Sequence, residues 1–224
     1  MNTRMDRHLL IVTGSDYTDQ VYSAFEKIKA EGVRLSLLSD GLFTPRPGIF
    51  DLELSYDLRK TSEVLDFLRG KNLRLDGVAI KTSEWLTPLV ALISKQWDVP
   101  GNTPRTAFLC RSKYHMRLQM EQRDISAPRF ALCRTFDAVV RAAASIGFPC
   151  VAKPIGGNSS SGTFLIESDV RSKELLPVYE NSIRYLKQLA VADDMFSFSE
   201  EELSLFGISD YFDLVTDYLV EKFI

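Results

Sequence analysis

The stretch FPCVAKPIGGNSSSGTFLI, Phe148–Ile166, decides how the second half of this chain folds. A short apolar run ends at Lys153, and a second apolar run begins after Gly162. Short apolar runs bounded by proline and glycine are typical of buried strands. The loop between them has no bulky side chain from Gly156 to Gly162. The stretch therefore predicts a β-hairpin with an open loop made of small residues.

This loop is suited to holding an anion such as a phosphate. Glycine tolerates the backbone angles at which neighbouring N–H groups converge, and small side chains allow a close approach. Lys153 adds a positive charge beside the same place. Taken alone, however, such a segment is more often a flexible linker or an ordinary hairpin loop. The sequence has neither GxxxxGK[ST] nor a GxGxxG after its first strand, so the two common nucleotide patterns are not supported.

Composition places the chain among ordinary soluble globular proteins. It has 224 residues, of which 45% are hydrophobic and 25% charged, and its net charge is −3. A chain of this length predicts one large domain or two modest ones. No general positive field favours nucleic acid or a membrane as partner, and no apolar run approaches the roughly 20 residues of a membrane span.

Cysteine and histidine do not suggest a metal site. Cys110, Cys133 and Cys150 have no metal-ligand spacing, and they fit a reducing cytoplasm in which lone thiols act as small apolar residues. His8 and His115 lie far apart in the sequence without a carboxylate pattern around them. We therefore predict no histidine-based metal site and no Ser-His-Asp triad.

The first half alternates strands with helices, which predicts a parallel sheet covered by helices. Gly32 is expected to end the first helix, and Thr61 or Ser62 to cap the second. This half is therefore predicted to form a Rossmann-like α/β layer that lacks the glycine-rich phosphate-binding motif GxGxxG. The expected strands are His8–Thr13, Val33–Leu38 and Asp76–Ile80, and the expected helices are Tyr17–Glu31, Thr61–Leu68 and Trp85–Trp97.

The pattern changes after Pro104. Thr135 is expected to cap a helix that Gly147 ends. The acidic and aromatic segment 193–216 has no clear period, and the sequence does not predict its role. The expected helices are Ser112–Arg123, Thr135–Ile146 and Val170–Ala190, and the expected strands are Pro128–Cys133, the run ending at Lys153, Thr163–Glu167 and Tyr218–Ile224.

Four motifs between residues 99 and 224 follow one another in a characteristic order. VPGN at Val99–Asn102 is followed by RSKYHMR at Arg111–Arg117, then by the lysine strand with its small-residue loop, and finally by YLVEKFI at Tyr218–Ile224. In order and spacing this resembles the ATP-grasp superfamily, in particular its carboxylate–amine ligases and biotin-carboxylase-like members. The resemblance implies an α/β chain with a Rossmann-like pre-ATP-grasp domain over residues 1–108. The α+β N-terminal lobe of an ATP-grasp domain would then span residues 109–224.

The resemblance also implies roles for individual residues. Lys113 and Lys153 correspond to the family's two phosphate-binding lysines, and Glu221 stands where the family contacts the adenine amino group. Lys222, Phe223 and Ile224 would supply the hinge backbone that reads the adenine edge, and Arg117 is expected to be structural. The loop closing over the β- and γ-phosphates would be Gly156–Gly162, with Gly156, Gly157, Ser159, Ser160, Ser161 and Gly162 as its binding residues.

The implied activity is that of an ATP- and Mg²⁺-dependent ligase that joins a small-molecule carboxylate to an amine through an acyl phosphate. Ser112 departs from the family, which often has Asp before the helix lysine. The family's ribose-binding acid, paired Mg²⁺ ligands and catalytic arginine all follow the last strand. We therefore expect a truncated ligase that is inactive alone, with no catalytic or metal-binding residue assigned. An apolar final strand left at a sheet edge would be an aggregation liability, which also favours truncation.

Two other functions stay open from the sequence. The chain is compatible with a non-catalytic module that keeps the nucleotide lobe for binding or for a partner. A plain Rossmann-like sugar- or nucleotide-binding domain with a flexible hairpin is the weaker alternative. The acid and amine substrates are not predicted, and a homo-oligomer is compatible with everything in the sequence.

Overall fold

The computed structural model describes residues 7–81, 84–156, 160–168, 172–193, 199–208 and 216–223. Within these ranges the chain forms two compact units, one of residues 1–108 with 204–207 and the other of residues 109–203 with 208–224. Each unit contains its own four-stranded sheet.

The sheet of the first unit is entirely parallel, in the order β3-β2-β1-β4. This confirms the predicted parallel sheet, although β3 was not predicted. Leu10, Ile11 and Val12 are all buried, as expected for a strand covered on both faces. Burying each such side chain contributes on the order of 1.5–3 kcal/mol. The four strands are β1 (His8–Thr13), β2 (Arg34–Ser39), β3 (Leu52–Ser55) and β4 (Gly77–Ile80).

The helices of the first unit begin and end close to their predicted positions. Gly32 follows the first helix with a φ of 82°, a left-handed angle that suits glycine. The second helix begins at Thr61 with Lys60 at the N-cap position, so the predicted cap at Thr61 or Ser62 is wrong. A 3₁₀ turn at Glu84–Leu86 precedes the third helix. The helices are α1 (Asp19–Ala30), α2 (Thr61–Arg69), α3 (Thr87–Gln96) and the unpredicted α4 (Pro104–Leu109).

The sheet of the second unit is antiparallel, in the order β5-β8-β6-β7. The last strand therefore lies in the middle of the sheet, and the expectation that it forms an unpaired edge is wrong. It pairs with β5 on one side and with β6 on the other. Its first four residues are buried, as expected for a strand in the middle of a sheet. The strands are β5 (Phe130–Cys133), β6 (Cys150–Pro154), β7 (Phe164–Ile166) and β8 (Tyr218–Lys222).

Side-chain caps begin three of the remaining helices, one of them by the Ser199 hydroxyl, which accepts a hydrogen bond from the Glu202 N–H at 3.2 Å. The Thr135 hydroxyl accepts a hydrogen bond from the Ala138 N–H at 3.2 Å, and Gly147 ends that helix with a φ of 88°. Both predictions at this helix are confirmed. Buried Ser112 caps the preceding helix, which is shorter than predicted. The helices are α5 (Lys113–Glu121), α6 (Phe136–Ile146), α7 (Ser172–Asp193) and α8 (Glu200–Leu205).

The acidic and aromatic segment 193–216 contains the helix α8, although the sequence showed no clear period there. Among the helices in the described ranges, none is long and apolar enough to cross a membrane.

Candidate functional site

The strand β6 carries Lys153 on a different face from its apolar core residues. Cys150, Ala152 and Pro154 are buried, whereas Val151 and Lys153 alternate with them and are half-buried. This alternation follows from the two-residue period of a strand. In the pairing with β8, Lys153 lies opposite Leu219 and Val151 lies opposite Glu221. Lys153 and Glu221 are therefore diagonal neighbours across the two strands.

Glu221 joins the strand lysine to the helix α5. Its Oε1 accepts a hydrogen bond from Lys153 Nζ, and its Oε2 accepts one from Arg117 Nε at 3.0 Å. The Glu221 side chain is only 11% exposed, so this ion pair is largely shielded from water. Burial acts to raise the pKa of Glu221, but the hydrogen bonds from Lys153 and Arg117 outweigh it, and the pKa is lowered below its usual value. The carboxylate is therefore ionised at neutral pH.

Lys113 approaches the end of β6 from the first turn of α5. Its backbone N–H donates to the Ile155 carbonyl at 2.8 Å, and its Nζ donates to the Pro154 carbonyl at 3.3 Å. Burial is the largest cause that lowers the pKa of Lys113, the nearby charges of Lys153 and Arg111 act in the same direction, and Glu221 opposes them; the resulting pKa is about 8. Positive charge thus accumulates where β6 ends and the small-residue loop begins.

The loop leaves and rejoins the unit at defined points. At its start, the Ile155 N–H donates to the Asp217 carbonyl at 3.0 Å, and Gly156 is buried. At its end, the Thr163 N–H donates to the Ser160 carbonyl at 3.1 Å, which closes a turn. Ser160 and Gly162 both have positive φ, of 59° and 71°. Two predicted loop residues, Gly157 and Ser159, lie outside the described residues.

The segment predicted to read the adenine edge is held by its neighbours. The Lys222 N–H donates to the Arg129 carbonyl at 2.9 Å, and the Phe223 N–H donates to the Pro149 carbonyl at 3.2 Å. The Lys222 ammonium donates to the Phe148 carbonyl at 2.7 Å. Because these N–H groups already have partners, adenine recognition would rest on other groups of the segment. Ile224 lies outside the described residues.

The structure thus brings Lys113, Lys153 and Glu221 together, with Arg117 as a fourth member. The sequence predicted the first three by their resemblance to a family, but it did not predict that Glu221 would pair with Lys153 and Arg117. No local signal marks this pairing, because the three residues come from separate elements. The expectation that Arg117 is structural stays a prediction, and its bond to Glu221 is compatible with it.

Two grooves are formed by other described residues. One, in the second unit, has a volume of about 630 Å³ and is lined partly by Tyr114, Glu121 and Arg129. The other, in the first unit, has a volume of about 580 Å³ and is lined partly by Lys95 and Arg105. Neither contains a residue predicted to bind ATP. Among the described residues, no group of three or more His, Cys, Asp or Glu could hold a metal ion.

Comparison with known proteins supports the assignment of the fold. No protein-family model matches the chain. Over 110 residues the chain is 27% identical to a formate-dependent phosphoribosylglycinamide formyltransferase of Pseudomonas putida, a match that covers 42% of this chain and 28% of the relative. The chain therefore matches well under half of that enzyme.

Solved structures match nearly the whole chain. An L-amino acid ligase from Bacillus licheniformis has a TM-score of 0.63 and 18% identity, and the match covers 97% of this chain and 44% of that one. A biotin carboxylase from Campylobacter jejuni, solved as a β,γ-ATP complex, has a TM-score of 0.59 and 15% identity, covering 97% of this chain and 45% of that one. At these identities the likeness establishes the fold alone. The α/β fold expected from the sequence is confirmed, and the chain spans less than half of each of these two solved structures.

Proposed function

We propose that this chain is the ATP-binding part of an ATP-dependent ligase that forms carbon–nitrogen bonds. The observation that carries the proposal is the convergence of Lys113 and Lys153, from a helix and a strand, at the start of the small-residue loop. The ligase activity is proposed for the whole protein, because the chain spans less than half of its solved relatives.

The charge of this cluster fits a polyphosphate. Lys113 and Lys153 place two ammonium groups near the start of the loop, and burial, together with the charges of Lys153 and Arg111, lowers the pKa of Lys113. A triphosphate placed between Lys113 and Lys153 would bring negative charge to both ammonium groups and would be bound by charge-assisted hydrogen bonds. We assign the phosphate contacts to these two lysines and to the loop residues Gly156, Gly157, Ser159, Ser160, Ser161 and Gly162.

The adenine end of the nucleotide would lie at β8. We assign the adenine amino group to Glu221 and the adenine edge to the backbone of Lys222, Phe223 and Ile224, where the carbonyl groups of Lys222 and Phe223 would take part because their N–H groups are already bonded. The bonds from Lys153 and Arg117 use one lone pair on each Glu221 oxygen, so lone pairs remain for the adenine amino group. The Lys153 ammonium has three N–H donors and gives one of them to Glu221, so it can bind phosphate oxygens while it keeps this bond.

The proposed chemistry is acyl-phosphate formation followed by amide formation. A carboxylate oxygen of the acid substrate attacks the γ-phosphorus, and ADP leaves. The amine then attacks the acyl carbon, loses a proton, and phosphate leaves. We propose Mg²⁺ as the metal of the whole enzyme, but the described residues do not offer a ligand set. No step is assigned to the metal, and no catalytic residue is assigned in this chain.

The proposed partners are ATP and the small-molecule acid and amine, with neither nucleic acid nor membrane involved and a homo-oligomer compatible with the function. We also propose a cytoplasmic location. Cys133 and Cys150 are buried free thiols, and burial raises the pKa of Cys133 to about 11, so this thiol is inert and acts in packing.

Calorimetric titration of the chain with ATP, ADP, AMP and adenosine tests the proposal. We expect ATP and ADP to bind at least about tenfold more tightly than AMP and adenosine, because two lysines and the loop contact the outer phosphates. A matching titration with GTP should show weaker binding, because the proposed hinge contacts are made to adenine. Equal affinity for ATP and adenosine would overturn the assignment of the phosphate site.

The affinity for ATP should also depend on pH through Lys113. Its pKa of about 8 in the free protein means that the ammonium loses its proton above that pH, and phosphate binds the charged form. We expect ATP affinity to fall as the pH rises above about 8, by up to about tenfold per pH unit. Lys113→Arg stays charged over the same range and should remove most of this dependence. Parallel pH curves for the two proteins would show that Lys113 does not contact the nucleotide.

A further inference from the structure

The small-residue loop rejoins the second unit at a hydroxyl pair that the sequence did not single out. Ser182 Oγ donates to the Gly162 carbonyl at 2.9 Å, and Tyr218 Oη donates to the same carbonyl at 3.3 Å. The two hydroxyls also hydrogen-bond each other. Ser182 lies on α7 and Tyr218 begins β8, so two separate elements hold one peptide group of the loop.

Gly162 is shaped for this contact. Its φ of 71° is left-handed, which suits the third residue of the turn that Ser160 and Thr163 close. A Cβ at this position would lie 2.6 Å from Leu186 Cδ1 and 2.8 Å from Ser182 Oγ. Only glycine allows the backbone to come this close to α7. The approach in turn places the carbonyl within reach of both hydroxyls.

The chemistry of the pair makes it a donor site. Burial raises the pKa of Tyr218, so its phenol stays protonated over the physiological pH range. Each hydroxyl has a single proton, so two protons serve the three contacts: one hydroxyl donates to the Gly162 carbonyl, and the other donates either to that carbonyl or to its neighbour. Tyr218 is fully buried and its ring packs near Phe164 and Tyr179. The donor is therefore fixed in position by the core of the unit.

We propose that Ser182 and Tyr218 are positioning residues for phosphate recognition: by holding the Gly162 carbonyl, they fix where and in which orientation the loop returns to the protein. The inference rests on the proposed function, in which the loop Gly156–Gly162 contacts the phosphates. The start of the loop is held by the Ile155 N–H on Asp217. Because these two points are held before a ligand binds, less conformational entropy is lost on binding, and this favours affinity.

The variants Ser182→Ala and Tyr218→Phe remove one donor each and leave the packing nearly unchanged. We expect each to weaken ATP binding by about fivefold and the double variant by more, with adenosine affinity unchanged. Ser182→Thr keeps the hydroxyl and should restore ATP affinity. Ser145→Ala, on α6, and Tyr179→Phe, beside the Tyr218 ring, are the matched controls and should behave as the unmodified chain.

Hydrogen–deuterium exchange of the peptide covering 155–166, without nucleotide, gives a second measurement. We expect faster exchange in Ser182→Ala and in the double variant, but not in the two controls. Unchanged exchange, or equal loss of ATP and adenosine affinity, would overturn the inference. If the unmodified chain bound no ATP, the proposed function would be wrong. The exchange rates of the variants would still test the hydroxyl pair: faster exchange would show that it holds the loop, and unchanged exchange would show that it does not.

Discussion

Replacing Lys153 by methionine is expected to weaken ATP binding by about 100-fold, because it removes a charge-assisted contact to the phosphates. Methionine keeps a side chain of similar length, so the alternation of buried residues along β6 is retained. Adenosine has no phosphate, and its affinity should change little. Calorimetric titration with both ligands measures the ratio of the two affinities. A ratio equal to that of the unmodified chain would show that Lys153 does not bind phosphate.

The substitution has a side effect that must be separated from ligand binding. Without Lys153, Glu221 keeps only its bond to Arg117, and a buried carboxylate with fewer partners destabilises the fold. The double variant Lys153→Met, Glu221→Gln removes both charges and should recover much of the thermal stability. Its ATP-to-adenosine affinity ratio should stay below that of Glu221→Gln alone. Lys187→Met, at an exposed position on α7, is the matched control for loss of a lysine.

Replacing Glu221 by alanine is expected to lower the free energy of unfolding by about 3–5 kcal/mol, which is the usual cost of removing one partner of a buried ion pair. Lys153 and Arg117 are 18% and 20% exposed, so both cations would remain largely buried without their common partner. Urea unfolding at neutral pH measures the loss. Glu167→Ala, at an exposed position after β7, should change stability by less than about 0.5 kcal/mol.

The same ion pair predicts how the free energy of unfolding depends on pH in the acid range. The pKa of Glu221 is lower in the folded protein than its usual value. The unfolded chain therefore takes up the proton first as the pH falls, and the stabilisation present above about pH 4.3 is lost below it. Glu221→Gln cannot titrate, so its unfolding free energy should fall less steeply over this range. Identical acid profiles for the two proteins would contradict the assigned pair.

Elements with strong local signals could be predicted from the sequence. The helix α6 has a threonine cap, a regular apolar face and a glycine at its end, and all three features occur in the structure. The strand β1 is apolar from Leu9 to Val12. In both cases the local preference and the packing agree, so no knowledge of distant residues is needed.

Elements whose structure depends on distant residues could not be predicted. The strand β3 has only four residues and three of them are exposed, so its apolar content is too low to mark it. It forms because β2 offers an unpaired edge. The position of β8 is another example, because an apolar strand is compatible with an edge or a centre until its partners are known. The bond between Glu221 and Arg117 joins residues 104 positions apart in the sequence.

The central position of β8 also determines the order in which the second sheet can assemble. The strands of the first sheet lie between His8 and Ile80, so that sheet can form early during synthesis. In the second sheet, β6 can pair early with β7, but β5 and β6 do not pair with each other, and joining them into one sheet requires residues 218–222. Closing such long loops is slow, because chain entropy must be lost before the pairing is gained. Until Tyr218 and Glu221 arrive, Gly162 lacks one of its two hydroxyl donors and Lys153 lacks its carboxylate.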